Sequence, residues 1–69
     1  MDNLINPTAK QFAYMTGLSL EDSQTLITDA NEFAIRFEAP NGDFRVANIY
    51  GHIALVAVDY TEAETEYTV

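Results

Sequence analysis

Glu32-Phe33-Ala34-Ile35-Arg36-Phe37-Glu38-Ala39-Pro40-Asn41-Gly42-Asp43-Phe44-Arg45-Val46-Ala47-Asn48-Ile49-Tyr50 decides the fold. Phe33, Ile35 and Phe37 alternate with Glu32, Ala34, Arg36 and Glu38. Successive strand side chains point to opposite faces, so this alternation predicts a half-buried strand. Asn41-Gly42 supplies the hairpin turn, because both residue types tolerate positive φ. Closing the hairpin there predicts the pairs Glu38–Arg45, Phe37–Val46 and Phe33–Tyr50. A salt pair and two apolar pairs then fall out of a single register. Pro40 stands beside the turn, where its missing donor does little harm.

Toward the C-terminus, Gly51-His52 marks a second turn or a bulge. Ile53-Ala54-Leu55-Val56-Ala57-Val58 follows as a strand with apolar residues on both faces. In a meander with one wet face, that third strand would alternate with polar residues. Instead, Ala34, Ala47, Ile49, Ala54, Val56 and Val58 all project to the face opposite Phe33, Ile35 and Phe37. Two helices can cover only one face. The other keeps a patch of small apolar residues that needs a cover: the N-terminal arm, the C-terminal tail, a second copy meeting it at Ile49, Val56 and Val58, or a partner.

Toward the N-terminus the pattern changes to helical. Asn6-Pro7 offers an N-cap followed by proline at the first helical position, and Thr8 with Gln11 is a competing start in the capping-box pattern. Phe12 and Met15 fall on one face, with Ala13 and Tyr14 beside them, and Gly17 supplies a left-handed C-cap. Ser19 opens a second helix, with Glu21 and Asp22 in the first turn, where negative charge suits the helix dipole. Leu20, Ile27 and Ala30 share its inward face, flanked by Leu26. Thr25-Leu26-Ile27-Thr28 is also compatible with extended chain. The expected fold is α+β: two short N-terminal helices, then a three-stranded antiparallel β-meander, with the C-terminal tail as a candidate fourth strand. One domain fills residues 1–69, with a helical half at 6–30, the meander at 32–60 and an acidic tail at 61–69.

The 69 residues carry eleven acids against three bases, a net charge of −8, yet 48% are hydrophobic. That hydrophobic share, with aromatics spread along the chain, argues for a fold rather than acidic disorder. A chain this short buries only about 60% of its unfolded surface, so its stability is marginal without added support. There is no cysteine, which removes disulfides and thiolate metal sites as that support. The N-terminus lacks a basic start and apolar stretch, and no apolar run approaches the ~20 residues of a membrane span. A cytoplasmic protein is expected.

Catalytic signals are sparse. The one histidine, His52, lies beside a glycine turn, and the one lysine is Lys10. No serine sits in a nucleophile elbow, and no glycine-rich phosphate loop occurs. The expectation is no enzyme and no cofactor. Asp59, Glu62, Glu64 and Glu66 are hard oxygen ligands, but they miss the calcium-loop spacing, and a row on one strand face would not encircle an ion. No metal is expected. Thr8 to Ile27 has the outline of a helix-turn-helix with its turn at Thr16-Gly17-Leu18. Its second helix carries two acids, one Gln and no base, so it is not suited to reach phosphates. The same stretch is similar to the opening of ubiquitin-associated domains through Phe12, Thr16-Gly17 and Leu26. Those domains need a third helix where this chain turns into an Asn-Gly hairpin.

The acidic surface remains. Glu62, Glu64 and Glu66 recur at every second position, so in extended chain their carboxylates would form a row at roughly 6.8 Å spacing. A chain so acidic repels nucleic acid and attracts proteins with basic grooves. In size, charge and lack of catalytic groups, it resembles the small acidic inhibitors of phages and mobile elements: anti-CRISPR, anti-restriction and other DNA-mimic proteins. That resemblance implies a non-enzymatic inhibitor occupying the basic DNA- or RNA-binding site of a host protein. The residues expected to bind are Asp59, Glu62, Glu64 and Glu66, with Tyr60 and Tyr67 bracketing the row and Glu21, Asp22 and Asp29 as a second cluster. The competing expectation is an assembly or adaptor protein that binds through the apolar sheet face.

Overall fold

Two helices lie against one face of a four-stranded antiparallel sheet in the computed structural model, which describes residues 3–58. The elements run β1 (Asn3–Ile5), α1 (Ala9–Thr16), α2 (Leu20–Asp29), β2 (Ile35–Ala39), β3 (Gly42–Ile49) and β4 (His52–Ala57). The sheet order is β1-β4-β3-β2, so the expected meander is present with an added strand at its β4 edge. That strand is the N-terminal segment, which joins the sheet edge-on instead of folding over a face. The expected strand in the tail, and the acidic row with it, lie outside the described residues.

Both helix starts follow from short polar side chains. Thr8, not Asn6, caps α1: its hydroxyl accepts from the Gln11 N–H at 3.1 Å, while the Gln11 side chain accepts from the Thr8 N–H at 2.9 Å. Asn6 is instead held at φ 51, and its backbone N–H bonds to the Ile53 carbonyl at 2.6 Å. Ser19 caps α2 by accepting from the Asp22 N–H at 3.0 Å. Gly17 ends α1 at φ 83, and a Cβ there would lie 3.0 Å from the Pro40 Cβ. The β2–β3 turn is thus seated on the end of α1.

That seating explains the register. The pairs are Ile35–Val46, Arg36–Arg45, Phe37–Phe44, Glu38–Asp43 and Ala39–Gly42, so the turn residues are Pro40-Asn41. The turn lies one residue earlier than Asn41-Gly42, and every expected partner moves by two. Glu38–Arg45, Phe37–Val46 and Phe33–Tyr50 are not pairs. Asn41 is not among the residues with positive φ. Its backbone N–H bonds to the Thr16 carbonyl at 3.0 Å, and its side-chain amide donates to the Met15 carbonyl at 3.1 Å. Asn41 therefore caps the open end of α1 instead of supplying a left-handed turn. The strand pair also starts later than expected. The Asn31 side chain accepts from the Phe33 N–H at 2.7 Å, which holds Phe33 out of β2 and leaves it 76% exposed.

A two-residue shift keeps every side chain on its original face. The core accordingly uses the expected face: Phe44, Val46 and Leu55 are buried with Phe12 of α1 and Ala30, and Ile35, Phe37, Ile53, Met15, Leu26 and Ile27 pack around them. Phe12, Phe37 and Phe44 stack in a row with centroids 5.9 Å apart at each step. Contacts of this kind add about 0.5–1.5 kcal/mol each beyond area burial. Leu20 does not join the inward row. It is 56% exposed, because the first turn of α2 stands clear of the core, and Ser23 takes the buried place with its hydroxyl donating to the Ser19 carbonyl.

Candidate functional site

The sheet's second face builds the site. Strand alternation places Arg36 and Glu38 of β2, Asp43, Arg45, Ala47 and Ile49 of β3, and His52, Ala54 and Val56 of β4 opposite the core side chains. β1 extends the same face with Asn3 opposite Val56 and Ile5 opposite Ala54. Among the described residues no helix or loop covers it. Ala47, Ala54 and Val56 are only half-buried, and Ile5 and Ile49 are 66% and 44% exposed. Ala34, Ala47, Ala54, Val56 and Arg45 line a shallow recess of about 130 Å³ near its middle.

The face is ordered in rows across the strands. Glu38 and Asp43 face each other at one end, and next to them Arg36 faces Arg45. Then come Ala47 and Ala54 with Ile5, and Ile49 with His52 closes the far end. Like charges directly opposite one another are unfavourable, but each arginine has an acid diagonally across the strand pair. Two of the chain's three bases therefore lie together on this face, beside an apolar field. The sequence revealed the apolar half. It missed the arginine pair, because the shifted register had matched Arg45 with Glu38.

The β3–β4 turn carries the most exposed aromatic among the described residues. Tyr50 and Gly51 connect Ile49 to His52, both at positive φ (52 and 85), as a type I′ hairpin requires. The Gly51 N–H donates to the Asn48 side chain at 2.9 Å, and Tyr50 is 98% exposed. At the same end, Asn6 ties β1 to β4. Its Oδ1 accepts from the Ile53 N–H at 2.8 Å, which turns its Nδ2 toward His52 Nδ1 at 3.2 Å. An amide nitrogen can only donate, so in this contact Nδ1 is the acceptor. His52 is thus engaged with Asn6 at the β1–β4 junction.

The other expected residues fall elsewhere. Glu21, Asp22 and Asp29 are exposed on α2, where Glu21 and Asp29 border a shallow depression with Gln24, Thr25 and Thr28. Asp59, Tyr60, Glu62, Glu64, Glu66 and Tyr67 lie outside the described residues. Val58 follows β4 and is half-buried, its N–H donating to the Asp43 carbonyl at 2.9 Å. A further apolar groove of about 500 Å³ runs between β1 and α1, lined by Leu4, Thr8, Lys10, Gln11, Tyr14 and Met15. Its signal in the sequence was the Leu4-Ile5 pair, too short to show a period. Among the described residues no three His, Cys, Asp or Glu side chains gather as a metal cluster, and no buried side-chain nitrogen or oxygen lacks a hydrogen-bond partner. No described helix is long and apolar enough to cross a membrane. No family model, curated protein or solved structure matches the chain.

Proposed function

We propose that this chain is a non-enzymatic protein-binding module whose main docking surface is the outer face of the sheet. The supporting observation is a four-stranded sheet that, among the described residues, has helices on one face only and a field of Ile5, Ala47, Ile49, Ala54 and Val56 on the other. Small residues let a partner approach the backbone closely, and Ile5 and Ile49 offer larger anchors at the margin. Contiguous exposed apolar area on a small acidic protein is an interaction surface or an aggregation hazard, and the surrounding charge opposes aggregation.

A second reading keeps the mimicry of nucleic acid, and one observation favours it. Asp29 occupies the last turn of α2, where there is no base and where negative charge opposes the helix dipole. With Glu21, Asp22 and the following Glu32, it makes a basic-free strip that could enter the basic groove of a host protein and exclude DNA or RNA. On this reading the chain is an inhibitor of the anti-CRISPR or anti-restriction kind, and the acids Asp59, Glu62, Glu64 and Glu66, with Tyr60 and Tyr67, are further candidates for contact with its target.

The two readings separate by variant. Tagged wild type, Ala54→Glu, and the neutralised Glu21→Gln/Asp22→Asn/Asp29→Asn chain would be used for affinity capture from host lysate, with folding checked by circular dichroism. Binding through the sheet predicts that Ala54→Glu loses the captured protein and that the neutralised chain keeps it through a high-salt wash. The opposite pattern, with release as salt rises, would assign the function to the acidic strip.

A further inference from the structure

We propose that the open edge of β1 takes an extended peptide of a partner protein as an added strand, with an apolar side chain in the β1–α1 groove and an acidic one at Lys10. This is a second docking site, separate from the outer sheet face.

Backbone hydrogen bonding marks the edge. The Asn6 N–H bonds to the Ile53 carbonyl, so Asn6 and Ile53 form a hydrogen-bonded pair, and the register makes Leu4 with Leu55 the next one. The pairing of β3 with β4 agrees. The Val58 bond to the Asp43 carbonyl extends a ladder in which Val56 and Ala54 spend their backbone groups on β3. Alternation then turns the N–H and C=O of both Asn3 and Ile5 away from β4, toward an edge that no described strand occupies. An incoming strand can pair with these groups. The opposite edge suits this less. β2 carries Arg36 and Glu38 and runs into Pro40, devices that blunt an edge, whereas Asn3-Leu4-Ile5 holds no charge.

The side chains choose the occupant. Leu4 packs against the core on the helix side, and with Tyr14 and Met15 it lines the apolar groove of about 500 Å³ beside β1. An added strand sends alternate side chains to that side, so one of them enters the groove. Lys10 is exposed and is the only charged residue lining the groove, on a chain of net charge −8. Elsewhere that net charge repels an acidic peptide, so Lys10 fixes where such a peptide settles. Main-chain bonds along Asn3 and Ile5 supply affinity, while the groove and Lys10 supply selectivity.

The probe is a displayed library of random linear peptides, selected on the full chain. Strand addition predicts enriched peptides with apolar residues at alternate positions and an Asp or Glu among them. The best binder, added to isotope-enriched chain, should slow amide hydrogen exchange at Asn3 and Ile5 and leave Leu4, already bonded to β4, little changed. Lys10→Glu should weaken that binder several-fold and, in a repeated selection, replace its acid by a base. Ile5→Pro removes one outward N–H and leaves the Leu4–Leu55 bonds in place, so it should abolish binding while circular dichroism shows the fold retained. If that variant unfolds, Lys10→Glu decides. No enrichment, a basic consensus on the wild type, or a binder lost in Ala54→Glu but kept in Lys10→Glu would overturn the proposal. So would Asn3 and Ile5 amides already protected in the free chain. Protection that grows with concentration would assign the edge to a second copy, and protection that does not would assign it to another segment of the same chain.

Discussion

Tyr50 and Asn41 are the two residues whose backbone chemistry differs most from their residue type. Tyr50 holds a left-handed φ of 52, a conformation that costs a residue with a Cβ about 1–2 kcal/mol and that Asn tolerates. Tyr50→Asn would create the favoured Asn-Gly hairpin, and it is expected to raise stability by about 1 kcal/mol, or about 4–8 °C in melting temperature. Thermal melts followed by circular dichroism check this, and an unchanged or lower melting temperature would remove the strain argument. The strain persists at a fully exposed aromatic, which suits a contact residue at the edge of the proposed docking face. Asn41 shows the reverse: a turn-forming residue whose amide satisfies the last carbonyls of α1. Asn41→Ala should cost about 1–2 kcal/mol in denaturant unfolding. Asn41→Asp should cost more, because a carboxylate cannot donate and adds negative charge at a helix C-terminus. Equal stability of Asn41→Gly and wild type would mean that the side chain serves only the turn.

Among the elements, what was legible in the sequence depended on how local the signal was. The caps of α1 and α2 are written in Thr8-Gln11, Gly17 and Ser19, and they form as written because each needs only near neighbours. The hairpin was legible in place but not in register, since the seat of Pro40 and Asn41 on Gly17 is a long-range contact that no turn pattern contains. The two faces were still legible, because a shift of two residues preserves alternation. β1 was missed, as three residues give no period and β1 gains its pairing from β4 alone. For α2, Asp29 opposes the dipole while Glu21 and Asp22 follow it. Asp29→Asn is therefore expected to stabilise the fold by about 0.3–1 kcal/mol at low salt. If the same substitution also weakens capture of a partner, Asp29 trades stability for binding and the acidic-strip reading gains.

Taken whole, the molecule separates its excess acid from its small apolar surface by layer among the described residues. The helix layer presents more acids than bases to solvent and buries the aromatic row, while the sheet's outer side balances Arg36 and Arg45 against Glu38 and Asp43 beside the small apolar residues. Self-repulsion at net charge −8 opposes the compact state, so the melting temperature should rise as sodium chloride goes from about 10 mM to about 0.5 M. A flat profile would mean that the acids are already neutralised within the fold. The same separation predicts where a partner touches. The most direct measurement is site-specific photo-crosslinking in cell lysate, with a benzophenone side chain at Ala47 on the outer face or at Thr25 on the exposed side of α2. Docking through the sheet predicts adducts with a partner or a second copy from position 47. Adducts from position 25 alone would contradict the sheet-face account and transfer the function to the acidic helix.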